Sequence, residues 1–295
     1  MLPALVVATL GHAAWDNVLH WMIANDPDSS ILHMHWLRLV IVYLFLLGLP
    51  SAFKSEGGPC EQKSFTWWLT FSTVGWVLPT LVYTTCVMLT GYRIIISFQP
   101  FIPLLVAWRL GQRFEGRRLI ALNFAMLGTL SVWICAPWYH KDTELWKIWA
   151  AIVCSAIQVL TLSHWFTMIP SKTPLSYIKR GILISITILF SCMIMWTPQH
   201  LFAAFQGHLD KWSVILLAGG IAAAAKNWII AYCSLKMPMD SVAIFECLHP
   251  IATLGCDVVL AKDVFEYEDI ATIVFLAVGW ILYPKTNIKS TLPQT

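Results

Sequence analysis

Apolar runs of about twenty residues follow one another along the whole chain, and the joints between them are only long enough for turns. A run of that length crosses roughly 30 Å of hydrocarbon as a helix, and in lipid the helix satisfies its own backbone polar groups. The runs lie at about 3–24, 32–53, 66–89, 93–110, 117–136, 146–168, 178–198, 212–233, 239–260 and 267–284. The expected fold is an all-α integral membrane protein with ten transmembrane helices. Composition agrees, since 58% of the 295 residues are hydrophobic, 12% are charged and the mean hydropathy is +0.69, well outside the range of soluble globular domains. The first run has no Lys or Arg ahead of it and no small-residue cleavage site, so it reads as a span and not as a removable signal.

Charge sets the orientation. Counted joint by joint, one side carries twelve basic residues (Lys54, Lys63, Arg109, Arg113, Arg117, Arg118, Lys172, Lys179, Arg180, Lys236, Lys285, Lys289) and the other five (Arg93, Lys141, Lys147, Lys211, Lys262). The richer side is expected to be cytoplasmic, which places both termini there and suggests the cell (inner) membrane. The eight cysteines are scattered without a CxxC or a zinc-type spacing and read as small packing residues.

The two halves share a plan. QPFIPLLVAWRLGQRFEGRRLIALNFAMLG (99–128) and HPIATLGCDVVLAKDVFEYEDIATIVFLAVG (249–279) each hold a proline-bearing run, a polar turn and a glycine-bearing run. Pro100 matches Pro250 and Gly128 matches Gly279, while Tyr83 in VYTTC matches Tyr232 in AYCSL. Five spans per half would insert the halves upside down relative to each other, the arrangement from which transporters build a midplane site. The repeats are expected at 1–138 and 139–295, within one membrane domain.

The stretches GHAAWDNVLHWMI (11–23), MHWLRLVIVYLFLLGLP (34–50) and SFQPFIPLLVAWRLGQRFEGRRLIALNFAMLGTLSVW (97–133) resemble the first half of the drug/metabolite transporter superfamily, in particular its EamA-type ten-helix members. One departure is Gln112, where the family usually closes its fourth helix with glutamate; Lys262 stands at the related place in the second half. The resemblance implies a substrate cavity lined mainly by the first, third, fourth, sixth, eighth and ninth helices.

Polar residues inside the runs mark where such a site would lie. A charge at the centre of a spanning helix costs roughly 2.5–3.5 kcal/mol on insertion scales, so it faces the bundle interior and has a partner. Glu246, His249, Thr253 and Asp257 recur at helical spacing on one face, and Pro250 interrupts the same run. Lys226 and Glu246 lie at similar depths and are expected to pair, as are Asp16 and Arg38. Substrate-binding residues are expected among Trp15, Asn17, Tyr83, Ser97, Gln99, His164, Trp165, Lys226, Asn227, Tyr232, Glu246 and His249, with Asp16, Arg38, Pro100 and Pro250 structural or gating. His12, Asp16 and His20 have the spacing of a metal stripe, yet no second ligand cluster accompanies them and packing is the expectation.

No phosphate loop, nucleophile constellation or basic aromatic surface for nucleic acid stands out, and no cofactor or metal is expected. The expected function is secondary transport of a small organic metabolite, an amino acid or another zwitterion, by alternating access. S-adenosylmethionine or a nucleotide-type metabolite is an alternative substrate on the same fold. A lipid-carrier flippase is a second reading, and an intramembrane enzyme using His164, His249 or Asp257 a third. Expected partners are the substrate, the lipid bilayer and, in a homodimer, a second copy of the chain.

Overall fold

The structure, a computed structural model, describes residues 6–7, 9–13, 15–16, 31–48, 63–90, 93–112, 114, 116–139, 144–169, 174–196, 221–222, 226, 242–243, 246–260 and 267–283. Among these residues every regular element is helical and no strand occurs. The named helices are α1 (Ile31–Gly48), α2 (Phe65–Ser72), α3 (Leu78–Thr90), α4 (Arg93–Ser97), α5 (Phe101–Arg109), α6 (Arg117–Tyr139), α7 (Leu145–Met168), α8 (Pro174–Trp196), α9 (Leu248–Leu260) and α10 (Tyr267–Leu282). Residues 6–7, 9–13, 15–16, 221–222, 226, 242–243 and 246 contribute further helical positions. Among the described residues three continuous stretches, Phe65–Leu89, Leu145–Met168 and Ser176–Met195, are long and apolar enough to cross a membrane.

Local chemistry explains the irregular places. Ser64 starts α2, its Oγ accepting from the Trp67 backbone N–H at 3.2 Å. Between α2 and α3 the helix widens to a π-helical turn at Thr73–Val77. Pro79 supplies a reason, because its ring removes the hydrogen bond to the residue 75 carbonyl and crowds it, and a wider turn absorbs that conflict. The run at 93–110, expected as one span, is two short helices. Pro100 breaks it, and the chain turns through 98–100 on three-residue bonds, Phe98 N–H to the Ile95 carbonyl at 3.3 Å and Gln99 N–H to the Ile96 carbonyl at 3.1 Å. Gly111, with φ of 72°, lets the chain leave α5 in a left-handed conformation.

Helix α10 packs along α6. A side-chain carbon at Gly279 would lie 2.9 Å from the Ala125 nitrogen, and one at Gly128 would lie 2.7 Å from the Leu276 side chain. Ser131 and Thr272 share a hydroxyl contact of 2.6 Å. Contacts that climb one helix while descending the other make the pair antiparallel. They are also reciprocal: glycine 128 meets position 276, and position 125 meets glycine 279. Small residues allow this close approach, which dispersion and a hydroxyl contact then stabilise.

The interior inverts the usual arrangement of polar and apolar groups. Large apolar side chains such as Leu44, Met88, Val153, Leu160, Ile194 and Trp280 are exposed on the outer helix faces, whereas Asp16, Lys226, Glu246 and His249 are buried. An aromatic core joins α2, α7 and α8 through Trp68, Phe71, Trp76, Trp165 and Tyr177. Gly75 and Gly181 leave the space that the Trp165 and Trp76 rings fill, since a carbon on either glycine would collide with the ring.

Candidate functional site

A cavity of about 140 Å³ opens where the helices are interrupted. It draws on the first apolar run (His12, Asp16), on Arg38 of α1, on the π turn and α3 (Gly75, Trp76, Pro79, Thr80, Tyr83), on the break before α5 (Gln99, Ile102, Pro103) and on α7 (Gln158, Leu162, Trp165, Phe166). Lys226, Val242 and Glu246 complete it. Both interruptions reach its wall, through Gln99 at the break in the fourth run and through Gly75 with Trp76 in the π turn.

Lys226 is the centre of the polar wall. It is 5% exposed, and its Nζ lies 2.9 Å from Glu246 Oε2, 3.0 Å from His249 Nδ1, 3.2 Å from Gln99 Oε1 and 3.3 Å from His12 Nδ1. The expected Lys226–Glu246 contact is thus present. A buried ammonium needs such a shell, because its desolvation is offset only by close opposite charge and filled hydrogen bonds. On the far side of the His249 ring, Nε2 lies 3.2 Å from Asp16 Oδ2. The chain Asp16–His249–Lys226–Glu246 therefore crosses the interior from the first run to the ninth.

The expected pairing of Asp16 with Arg38 takes a different form. No contact within 4 Å joins the two side chains among the described residues; Asp16 engages His249, with His12 Nδ1 3.7 Å away. Arg38 lines the same cavity and acts on Asp16 through space. The sequence places Asp16 and Arg38 at equal depth but does not say which helix faces meet, and His249 takes the nearer place.

The other residues named from the sequence divide by position. Tyr83, Gln99 and Trp165 line the cavity. Trp15 is buried beside Tyr83 in a second apolar cluster, and Ser97 is buried with its hydroxyl donating to the Ile94 carbonyl at 2.6 Å, so neither reaches the cavity wall. His164 is exposed and stands away from the cavity, because successive residues are about 100° apart on a helix and Trp165 takes the inward place. Pro100 and Pro250 are buried at the interruption before α5 and in the first turn of α9. Asn17, Asn227 and Tyr232 lie outside the described residues, as does His20.

Aromatic side chains also line the cavity. Trp76 and Trp165 meet edge to face with centroids 4.6 Å apart, and Phe166 packs against Trp165 at 4.9 Å. Among the described residues Asp16 Oδ1, Gln158 Oε1, Glu246 Oε1 and Trp165 Nε1 are buried without a hydrogen-bond partner. All four belong to residues that line this cavity. His12, Gln158 and the π turn around Trp76 complete the site. His12 had a visible signal in its spacing to Asp16; the π turn had Pro79.

His12, Asp16 and His249 present ligand atoms within 4.8 Å of one another, close enough for a metal ion. Lys226 Nζ stands 3.0 and 3.3 Å from the two histidine Nδ1 atoms, so an ammonium already fills the place of a cation there.

No protein-family model matches this chain, and no curated protein matches it. Among solved structures, one described only as a crystal structure of a protein is similar with a TM-score of 0.64 at 12% identity, covering 95% of this chain and 98% of that chain. At that identity the likeness concerns the fold alone.

Proposed function

We propose that this chain is a ten-span secondary transporter of the EamA type in the drug/metabolite transporter superfamily, and that it carries a small zwitterionic metabolite of the amino-acid kind. The observation that carries the reading is the cavity itself, in which a buried Lys226–Glu246 pair at 2.9 Å faces aromatic side chains between interrupted helices. A zwitterion brings one group of each sign to such a pair, and its apolar part finds Trp76 and Trp165. Asp16 Oδ1 and Glu246 Oε1, both without partners among the described residues, suit the donors of a substrate ammonium.

The inverted repeat is supported by the reciprocal contact between α6 and α10. A two-fold axis through that contact exchanges position 128 with 279 and 125 with 276, the offset of 151 found between Gly128 and Gly279 in the sequence. A two-fold axis lying in the membrane plane requires the paired helices to run antiparallel, as these do. The proline-adjacent interruptions before α5 and α9 fit the discontinuous helices that border midplane sites in transporters. Apolar outer faces suit lipid, and the twelve-to-five charge bias supports both termini in the cytoplasm.

Uptake of radiolabelled alanine, phenylalanine and glutamine into proteoliposomes, with recovery of the compound unchanged, tests the reading. Accumulation of none above protein-free liposomes would count against an amino-acid substrate; chemical conversion would point to an enzyme.

A further inference from the structure

The contacts of Lys226 bear on the state of His249. An ammonium donates and cannot accept, so an atom bonded to it must accept, and its neighbours are Glu246 Oε2, His249 Nδ1, Gln99 Oε1 and His12 Nδ1 at 2.9, 3.0, 3.2 and 3.3 Å. His249 Nδ1 therefore accepts, and the ring's one proton sits on Nε2, which donates to the Asp16 carboxylate at 3.2 Å. His249 is neutral in this arrangement, completely buried, and engaged through both ring nitrogens.

A second proton on His249 cannot be added to this arrangement. It would sit on Nδ1 and point at an ammonium N–H 3.0 Å away, donor against donor and charge against charge. Protonation and the Lys226–His249 contact exclude each other. We propose that His249 is the proton-binding residue of this site, and that its protonation at Nδ1 displaces Lys226, which makes the proton the coupling ion of the transport proposed above. The proton arrives from water and leaves to it; Lys226 keeps its three protons and retains Glu246 Oε2 and Gln99 Oε1 as acceptors. His249, now a double donor, keeps Asp16 as counter-charge. Lys226 belongs to the eighth run, His249 to the ninth and Asp16 to the first, so the exchange changes which helices are tied together.

The charged and titratable groups around His249 are consistent with a single exchangeable proton. From the first run Asp16 accepts from its Nε2 and His12 meets it ring to ring, with centroids 5.1 Å apart. Lys226 stands at Nδ1, and Glu246 precedes it on its own segment. Arg38 and Tyr83 line the same cavity, and the His35 ring meets the Tyr83 ring edge to face with centroids 4.9 Å apart. Two carboxylates and two permanent cations balance, so the neutral His249 leaves the cluster neutral and a protonated one adds a single positive charge. A substrate carboxylate offers the compensation for that charge, which is how proton and substrate would become linked.

The coupling role rests on the transport reading, but the proton site can be tested without it. Full-length protein with ¹⁵N-labelled histidine and lysine, in lipid nanodiscs, is titrated from about pH 8 to about pH 5, the range in which histidine charge changes. The His249 resonances are assigned by their loss in His249→Gln, or in His249→Asn should the first variant fail to insert. The expected result is a single Nε2–H tautomer at the alkaline end, with a correlation from Nδ1 to a lysine Nζ, and loss of that correlation as Nδ1 takes a proton. A proton on Nδ1 at the alkaline end, a ring that stays neutral throughout, or a doubly protonated ring that keeps its lysine would each overturn the proposal. Amino-acid uptake by a protein whose His249 never takes a second proton would discard the proton site and keep the transport reading. A titrating His249 in a protein that moves no amino acid would keep the proton site and discard that reading.

Discussion

Gln99 and His249 lie 150 positions apart, each directly before a proline, and both accept hydrogen bonds from the Lys226 ammonium, at 3.2 and 3.0 Å. Two residues that the sequence aligns between its halves thus contact one cation. Proline removes a backbone donor and disfavours helical geometry in the residue before it, and Gln99 enters the interior from the turn at 98–100 just ahead of Pro100, whereas His249 enters from the first turn of α9, just after the turn at Cys247. Gln99→Leu should remove one acceptor from a buried charge, at about 1.5–3 kcal/mol for a hydrogen bond to a charged group. Thermal unfolding in nanodiscs should show the loss, with Gln99→Glu retaining more stability than Gln99→Leu. Equal stability of Gln99→Leu and wild type would mean that Lys226 does not depend on this contact.

The Lys226–Glu246 pair gives a sharper test. Removing one partner leaves an uncompensated buried charge, at roughly 3–5 kcal/mol, whereas removing both can be nearly neutral. Lys226→Met and Glu246→Gln should each lower stability substantially, and the double variant should be more stable than the sum of the two effects predicts. Additive losses would show that the pair is not coupled. Flux should fall in all three variants, because the charged wall is part of the proposed substrate site.

The glycine contacts predict a pattern of tolerance. Gly279→Ala places a carbon 2.8 Å from the Ala121 carbonyl oxygen and 2.9 Å from the Ala125 nitrogen. These are backbone atoms that cannot rotate away, so α6 and α10 must separate, and overpacking of this kind costs roughly 1–3 kcal/mol. Gly75→Ala should be similarly harmful, because the Trp165 ring occupies the place of the new carbon. Gly48→Ala has nothing within 4 Å and should be tolerated. Expression and melting temperature of the three variants measure this directly; a harmless Gly279→Ala would remove the close contact from the argument for a two-fold axis.

Much of the site was legible because charge inside an apolar run leaves few choices. Glu246 and Lys226 had to meet something of opposite sign, and equal depth made each the natural partner of the other. Depth is an axial coordinate, however, and carries no information about rotation. Depth alone pairs Asp16 with Arg38, while the structure turns it to His249, and depth alone admits His164 although its neighbour Trp165 lines the cavity. The helical nature of the chain followed from run length, but the break at 98–100 and the π turn at 73–77 depend on how Pro100 and Pro79 are accommodated by their surroundings. A proline identifies a conflict in the backbone; packing decides whether the chain resolves it by a turn, a kink or a wider helix.

Side-specific labelling tests the orientation and the span of α6 and α7 together. After replacement of the eight native cysteines, single cysteines at Leu110, Glu144 and Ser176 would report three successive joints, and all three positions are exposed. The positive-inside bias arises from Lys and Arg flanking the spans, and Arg109, Arg117 and Arg118 surround the first joint as Lys179 and Arg180 follow the third. Leu110→Cys and Ser176→Cys should therefore react with a membrane-impermeant maleimide only from the cytoplasmic face, and Glu144→Cys only from the opposite one. All three reversed would invert the orientation and leave the fold intact. Leu110→Cys and Glu144→Cys labelled from the same face would mean that Arg117–Tyr139 does not cross the bilayer, and an odd number of spans per half, on which the inverted repeat depends, would be lost with it.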